Sequence, residues 1–362
     1  MIRARLQAAL DAVVGEQQLP GAVAAAGSSD GVVVVASGFA DRELHAPMRE
    51  DSILLSASIG KSFVAALALL LQQENVLRLD DRVARWLGDL AWYARLPNGR
   101  EITLRQLLNH GSGIPDHIYE PECAEWRRQR IHIPDAALTP EEMIGFILDK
   151  PPLFEPGKGF AYSDTAYILA GLVLERAGGS RYYDLLQRRF LGPLELNRTR
   201  PSNERRIPGL ASGYLLEGGP FGRGPDWPEK VVVDGSLIFN PASEWTGGGL
   251  ATNPRDLVRW SLALYRGKAL AEPYLDELLT VNADVESARK RVGGAYALGA
   301  IVRETEFGAA YGHTGGMPGY TGSMAYFPAH DLALALQVNQ NQCRLAQAES
   351  ALVAAALGRS EP

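Results

Sequence analysis

The sequence predicts an α+β fold in which both chain ends form one mainly antiparallel sheet flanked by helices, with a mainly helical domain inserted between them. Strand-like runs lie near both ends, at residues 21–38 and 295–338, while the middle of the chain carries helical patterns broken by Gly and Pro turns. The length of 362 residues suits an enzyme made of two interleaved parts. We therefore expect a discontinuous sheet domain of residues 1–80 and 200–362, a helical domain of residues 81–199, and an active site between them.

The first 80 residues are expected to supply one helix, two strands and a second, buried helix. Residues 1–14 place apolar side chains at helical spacing with charges between them. Residues 21–27 and 31–38 are predicted strands joined by Ser-Ser-Asp-Gly, because Asp-Gly tolerates the positive φ of a hairpin turn. Residues 58–73 are apolar on nearly all sides, which predicts a buried helix.

The middle and the end of the chain complete this pattern. A helix is expected to start at Thr139-Pro-Glu-Glu, with Pro at its first position, and Asp164–Ala177 predicts a long apolar helix. Residues 200–245 are irregular, and their Gly- and Pro-rich segment 218–228 predicts a loop. The remaining sequence predicts helices and strands in turn: helices at 254–265 and 344–357, and strands at 295–302, 323–327 and 332–338.

Composition argues against several classes of protein. Hydrophobic residues make up 46% and charged residues 22%, as in ordinary globular proteins. A net charge of -6 argues against a nucleic-acid-binding protein, and the longest apolar run, residues 63–71, is far short of the ~20 residues of a membrane span. The N-terminal segment lacks the uninterrupted apolar core of a signal peptide. We expect a cytoplasmic protein, or a periplasmic or secreted one whose leader has been removed.

The sequence offers no cofactor or metal signature. Cys123 and Cys343 lie outside any metal-type cluster and are interpreted as ordinary thiols, and the six histidines include no pair at the spacing of a helical zinc site. Gly60-Lys-Ser resembles the end of a phosphate-binding loop, but that motif needs a glycine where Leu55 stands. We expect neither a metal nor a cofactor.

The pair Ser58 and Lys61 is the first candidate for chemistry. Residues three apart on a helix share a face, so the hydroxyl and the amine can meet. Burial lowers the pKa of a lysine, and a neutral Lys61 could take the proton of Ser58 and make it a nucleophile. Alternatively, Ser58 caps the helix and Lys61 extends its amine to water. The same spacing at Ser287 and Lys290, among charged neighbours, is interpreted as a surface coincidence.

Two further motifs strengthen the first interpretation. Residues 154–164 place Tyr162-Ser-Asp164 in a turn that leads into an apolar helix. Residues 311–320 place His313-Thr-Gly-Gly316 just before the last strands. Serine, lysine, tyrosine and a His-Thr-Gly strand thus follow one another in this order.

With these motifs the sequence resembles the serine β-lactamase and DD-peptidase superfamily, especially the class C β-lactamases and the related serine D-peptidases and esterases. The resemblance extends over nearly the whole chain, through segments at residues 102–116, 190–196 and 247–257. It implies a β-lactamase-like fold. It also implies a serine hydrolase that works through an acyl-enzyme on a small molecule or a short peptide, without nucleic acid.

The resemblance further implies a role for each motif. Ser58 would be the nucleophile, Lys61 the general base, and Tyr162 the group that shuttles a proton to the leaving group and later activates water. The backbone amides of Ser58 and Gly316 would form the oxyanion hole. The substrate would contact a further set of residues, namely Asp164, His313, Thr314 and Gly315.

Two positions depart from the family pattern. Asp164 stands where Asn is usual, and an ionised carboxylate would hold Lys61 charged by raising its pKa, unless it points away or pairs with an ammonium of the substrate. His313 stands where Lys is frequent, and a neutral imidazole is a poorer partner for a carboxylate. These departures favour a peptidase, amidase or esterase over a β-lactamase proper.

A different class, a penicillin-binding or sensor protein that is acylated with little turnover, stays open at this stage. Loops at residues 111–135 and 215–245, with Tyr119, Trp126 and Trp227, would either line the substrate pocket or cover the core. The sequence leaves the substrate and the oligomeric state open.

Overall fold

The computed structural model describes residues 2–218 and 226–359. The predicted loop at 218–228 falls largely on residues 219–225, outside the described residues. The strands are β1 Gly21–Ser28, β2 Gly31–Asp41, β3 Ala46–Pro47, β4 Leu54–Leu55, β5 Arg200–Pro201, β6 Val232–Val233, β7 Ser236–Leu237, β8 Leu250–Thr252, β9 Ala295–Tyr296, β10 Ile301–Thr305, β11 Gly308–Met317, β12 Tyr320–Phe327 and β13 Leu332–Val338.

Helices cover much of the remaining chain. The α-helices are α1 Ile2–Glu16, α2 Lys61–Gln73, α3 Ala84–Leu87, α4 Leu104–Leu108, α5 Pro121–Gln129, α6 Pro140–Gly145, α7 Asp164–Gly178, α8 Tyr182–Leu186, α9 Trp245–Gly248, α10 Pro254–Tyr265, α11 Tyr274–Leu278, α12 Val285–Val292 and α13 Leu345–Leu357. Short 3-10 helices add Ala57–Gly60, Tyr93–Arg95, His117–Tyr119, Arg130–His132, Pro241–Glu244 and Pro328–His330, and Gln187–Leu191 form a π-helical turn. Among residues 2–218 and 226–359, no helix is long and apolar enough to cross a bilayer.

The predicted α+β fold with a sheet built from both chain ends is confirmed. Within the described ranges, eight strands form an antiparallel sheet in the order β3-β2-β1-β13-β12-β11-β10-β9. The N-terminal and C-terminal parts join where β1 pairs with β13, from Ala22 opposite Val338 to Gly27 opposite Ala333. A smaller sheet, β4-β8-β5, brings the residues just before α2 together with two later segments.

The central strands are buried on both faces. On β13, Ala333 and Ala335 face the main core, whereas Leu334 and Leu336 face a second core beneath α1 and α13. Alternate side chains of a strand point to opposite faces, so helices on both sides bury all of them. This explains why β13 is a continuous apolar run without the alternation of a half-exposed strand.

Most predicted elements are confirmed, and one is wrong. The single strand expected at 295–302 is two strands, β9 and β10, which pair antiparallel across a tight turn. Gly299 in this turn has φ +62, and a Cβ there would lie 2.6 Å from the carbonyl oxygen of Lys61. The turn therefore packs against the first residue of α2, and only glycine permits this approach. The proposed boundaries of the two domains stay a prediction.

Candidate active site

The segment that carries Ser58 is held between two other segments. Ser58 lies half-buried in the 3-10 helix Ala57–Gly60, which runs directly into α2. A Cβ on Gly315 of β11 would lie 2.3 Å from the carbonyl oxygen of Ser56, and a Cβ on Gly248 would lie 2.2 Å from that of Ala57. Backbone contact on both sides thus fixes the position of the Ser58 hydroxyl, and Ala57 between them adopts a left-handed φ of +47.

Lys61 is completely buried, with 0% of its surface exposed. Its Nζ lies 3.0 Å from the Oγ of Ser58 and 2.5 Å from the carbonyl oxygen of Gly247, and it forms an ion pair with the carboxylate of Asp164. An ammonium has three protons to donate, and these three acceptors match them. The alternative in which Lys61 extends to water is wrong. The N-caps of the 3-10 helix and of α2 are Ser56 and Gly60, so Ser58 is not a cap either.

The ion pair determines the charge of Lys61. Burial by itself lowers the pKa of this lysine, but the neighbouring carboxylate of Asp164, with a further contribution from Tyr162, outweighs burial and raises the pKa above its usual range. Of the two expectations from sequence, this arrangement favours a charged Lys61 over a neutral one. In the resting site Lys61 is therefore a cation that contacts Ser58.

Tyr162 is placed by the N-terminus of α7. Ser163 caps this helix by accepting a hydrogen bond from the amide of Ala166 at 3.2 Å, and its hydroxyl donates to the carbonyl oxygen of Pro115 at 3.2 Å. The capping fixes the residues on either side, which are Tyr162 and Asp164. The Nζ of Lys61 lies 5.1 Å from the centre of the Tyr162 ring.

The phenol of Tyr162 is neutral at physiological pH. Burial raises its pKa to about 12, although the positive charge of Lys61 and hydrogen bonds with Ser58 and Lys61 act in the opposite direction. The ring packs against that of His110, with a centroid distance of 4.1 Å. Tyr162 thus contacts the nucleophile Ser58, and its phenol keeps its proton over the usual pH range of an activity assay.

The strand that carries His313 to Gly316 has one open edge. β10 pairs with β11 only up to Gly312, whereas β12 pairs with β11 as far as Met317. The segment 313–316 therefore turns an unpaired edge towards the cleft beside Ser58. No atom lies within 4 Å of where a Cβ on Gly316 would be, so this residue borders open space.

His313 is buried, with 3% of its surface exposed, and both ring nitrogens are engaged. Its Nδ1 lies 2.5 Å from the carbonyl oxygen of Thr314, which can only accept, so the proton is on Nδ1. Its Nε2 then accepts from the hydroxyl of Tyr296 at 2.9 Å. Burial, followed by the nearby charge of Lys61, lowers the pKa of His313 to about 3. The ring is neutral and has no proton left to donate to a substrate.

These residues surround a cleft of about 270 Å3. The predicted site residues Ser58, Tyr162, Asp164 and 313–316 all line it, and Lys61 lies behind Ser58. The structure thus brings the whole predicted set together. The exposed Tyr119 also lines the cleft, while Trp126 borders a neighbouring pocket and Trp227 packs against Phe239.

Sequence reasoning missed three charged residues of this cleft. Asp116 lies within the family-like segment 102–116 and caps the 3-10 helix at His117, which is a recognisable N-cap pattern. Its pKa is raised to about 7 by burial and by the charge of Asp164. Glu244, whose pKa is also raised by burial, and Arg291 carry no such signal in the sequence. Arg291 directly follows the Ser287–Lys290 coincidence, and its guanidinium lies 5.5 Å from the ring of Tyr162.

Comparisons with known proteins identify the family and the relatives of the chain. A family model described as Beta-lactamase matches residues 6–357. A penicillin-binding protein of Bacillus subtilis strain 168 is 26% identical over 94% of this chain and 72% of its own length. Esterase EstB of Burkholderia gladioli is 36% identical, but over 49% of this chain and 46% of its own. The crystal structure of a D-stereospecific amidohydrolase from Streptomyces sp. covers 99% of both chains with a TM-score of 0.81 and 27% identity.

Proposed function

We propose that Ser58 is the nucleophile that forms the acyl-enzyme of this protein, because the chain belongs to the Beta-lactamase family and is a serine hydrolase of amides or esters. The observation that carries this proposal is the 3.0 Å contact between Ser58 Oγ and Lys61 Nζ at the base of a cleft that Tyr162 also lines. The matching of three acceptors to the buried ammonium supports a pre-formed site.

In the proposed acylation, the hydroxyl oxygen of Ser58 attacks the acyl carbonyl. Its proton passes to the phenol oxygen of Tyr162 while the phenol gives its own proton to the leaving nitrogen or oxygen, so the proton count is conserved. Lys61 stays an ammonium and stabilises the negative charge that develops on the oxygens of Ser58 and Tyr162. This role differs from that of a neutral general base, and it follows from the ion pair with Asp164.

The acyl-enzyme is then hydrolysed in the reverse order. A water molecule takes the place of the leaving group and attacks the acyl carbon; the phenol oxygen of Tyr162 accepts the proton of this water while the phenol gives its own proton to the oxygen of Ser58, and the acid product leaves. In both steps the substrate oxygen would lie between the backbone amides of Ser58 and Gly316, on the open edge of β11. Thr314 and Gly315 would hold the substrate along the same edge.

Amides and simple esters are the preferred substrates of this proposal. The relatives include an esterase and a D-stereospecific amidohydrolase, and the neutral His313 offers no donor to a carboxylate. One observation favours a β-lactamase as the second candidate. Arg291 places a cation in the cleft, where it could bind the carboxylate that a penicillin carries.

The proposal is tested with p-nitrophenyl acetate, a D-amino acid amide and nitrocefin measured side by side. Turnover that disappears in Ser58→Ala supports the proposal, and intact-mass spectrometry should show the acyl group on the wild-type protein. The matched control is Ser287→Ala, which removes the serine of the surface Ser-x-x-Lys pattern and should leave turnover unchanged. Labelling in a one-to-one ratio without turnover would instead support a penicillin-binding or sensor protein. Fast hydrolysis of nitrocefin that depends on Arg291 would support the second candidate.

Two further expectations belong to the same proposal. We expect the cleft to lie between the helical part, residues 81–199, and the sheet part. Limited proteolysis tests this division into two parts. The cytoplasmic location is a prediction that cell fractionation tests.

A further inference from the structure

A second, smaller pocket adjoins the active-site cleft. It has a volume of about 40 Å3 and shares Ile118, Asp164 and Glu244 with the cleft. Asp164 forms an ion pair with Lys61, and Lys61 in turn contacts the nucleophile Ser58, so in space only Lys61 lies between this wall of the pocket and Ser58. A substrate whose carbonyl lies at Ser58 can therefore extend a side group into it.

Arg130 borders this pocket and has an unusual environment. Only 5% of its surface is exposed, and its guanidinium lies 4.2 Å from the centre of the Phe239 ring and 5.2 Å from that of Trp227. The two rings hold the guanidinium by cation–π contact, which fixes its direction without using its N–H donors. Burial lowers the pKa of Arg130 to about 10, so it stays charged at neutral pH.

The donors of Arg130 have no acceptor in the part of the chain that the structure describes. Its Nε is buried without a hydrogen-bond partner, and no carboxylate of residues 2–218 or 226–359 lies within ion-pair distance of it. A buried charge left without hydrogen bonds is costly, so native proteins rarely keep one without a purpose. A ligand group that accepts from Arg130 would satisfy it.

Glu244 also lines this pocket and supplies a complementary group. Its negative charge acts on Arg130, yet the two side chains form no ion pair, so a gap separates donor from acceptor. A group that bridges this gap must accept a hydrogen bond at one end and donate one at the other. A primary carboxamide does both without a net charge.

The size of the pocket agrees with such a group. At roughly 10–15 Å3 per water, 40 Å3 holds about three small polar atoms or groups, as many as the carbon, oxygen and nitrogen of a carboxamide. We propose that this pocket, between Arg130 and Glu244, is a specificity site for a primary carboxamide on the acyl part of the substrate. The proposal rests on the proposed function, because it assumes that acyl transfer occurs at Ser58.

Three isosteric substrates test it without any mutation. The p-nitroanilides of asparagine, aspartate and leucine share one leaving group and differ only in a side-chain tip of carboxamide, carboxylate or methyl groups. We expect kcat/KM for the asparagine anilide to exceed that for the leucine anilide by about tenfold or more, which is the effect of one hydrogen bond to a charged donor. Both D and L series are measured, and the comparison is made within the series that the enzyme accepts.

A variant then links the preference to the residue. Arg130→Met keeps an unbranched side chain between the two aromatic rings but removes the donors. It should lower kcat/KM for the asparagine anilide to the level of leucine and leave the leucine value within about threefold. A matched control is Arg128→Met, which removes an exposed arginine near the end of α5, two residues before Arg130, and should leave the preference unchanged.

Several outcomes would overturn the inference. Equal or faster turnover of leucine by the wild type shows an apolar pocket, and a preference for aspartate shows an anion site. Turnover of p-nitrophenyl acetate that depends on Ser58, with none of the anilides hydrolysed, sinks this inference and leaves the proposed function standing. Absence of any turnover that depends on Ser58 removes the proposed function itself.

Discussion

Replacing Asp164 by Asn is the most informative change at this site, because it removes one charge and keeps the shape. The Asn oxygen can still accept from Lys61, whose contacts with Ser58 and Gly247 remain. The lysine, however, loses its counter-ion while it stays fully buried. Burial then lowers its pKa without opposition.

The size of this change follows from the contact between the two charges. A pair of unit charges at about 4 Å interacts by about 4 kcal/mol at an effective dielectric constant of ~20. Since 1.36 kcal/mol corresponds to one pH unit, the pKa of Lys61 should fall by about three units in the Asn variant. Lys61 would then begin to lose its proton towards the alkaline end of the assay range, where the growing neutral fraction could act as a general base.

The assay is the dependence of kcat/KM on pH, between about pH 5.5 and 10, for a p-nitrophenyl ester after subtraction of spontaneous hydrolysis. The wild type should show no inflection from Lys61, because its ammonium persists over this range. The Asn variant should gain a limb at the alkaline end of the range on which activity rises with pH without reaching a plateau, and its activity there should equal or exceed that of the wild type. Asp116→Asn is the matched control, since it removes a carboxyl of the same cleft that makes no ion pair with Lys61, and it should add no such limb.

Two results would refute this reasoning. A loss of a hundredfold or more at every pH, in a variant whose thermal midpoint is close to that of the wild type, would show that the carboxylate itself takes part in the reaction. An unchanged profile would show that Asp164 does not control the charge of Lys61.

Three further predictions concern the tyrosine, the glycines and the histidine. Tyr162→Phe should lower kcat by about 10²–10⁴-fold with little change in KM and no change in fold, and an equal kcat would show that the proton takes another path. Gly315→Ala should lower the free energy of unfolding by about 1–3 kcal/mol, because the new Cβ would meet the carbonyl oxygen of Ser56. Gly316→Ala should instead stay as stable as the wild type but lose activity, because its methyl group enters the cleft. Equal urea midpoints for the two alanine variants would contradict this contrast. His313, whose pKa is lowered to about 3, stays neutral in the folded state while the unfolded state gains a proton below pH 6.5, so its contribution to stability is lost as the pH falls from 6.5 towards 3. We therefore expect the free energy of unfolding, measured with urea at pH 6.5 and pH 4.5, to fall by about 2–3 kcal/mol less in His313→Gln than in the wild type. An equal fall in both proteins would show that the ring is already charged in the folded protein.

The local features of the fold could be predicted because they depend on neighbours in sequence. The apolar run 58–73 became a buried helix, and the predicted helix at 254–265 matches α10, Pro254–Tyr265. The error at 295–302 has a physical cause. An apolar run reports burial but not direction, so the reversal at Gly299 depends on the close approach of α2, which lies more than 200 residues earlier.

The sequence by itself determined which residues meet, because the order of Ser58, Lys61, Tyr162 and the 313–316 strand is a family pattern carried by residue types and spacing. Only the tertiary structure decided the charge and the protonation state of these residues. The charge of Lys61 depends on a carboxylate 103 residues later in the chain, and the neutral state of the His313 ring depends on its burial and on the nearby charge of Lys61. The position of the Arg130 guanidinium depends on two aromatic rings from a distant segment. The physical reason is that burial and electrostatic interaction act through space, whereas periodicity and spacing describe only what is near along the chain.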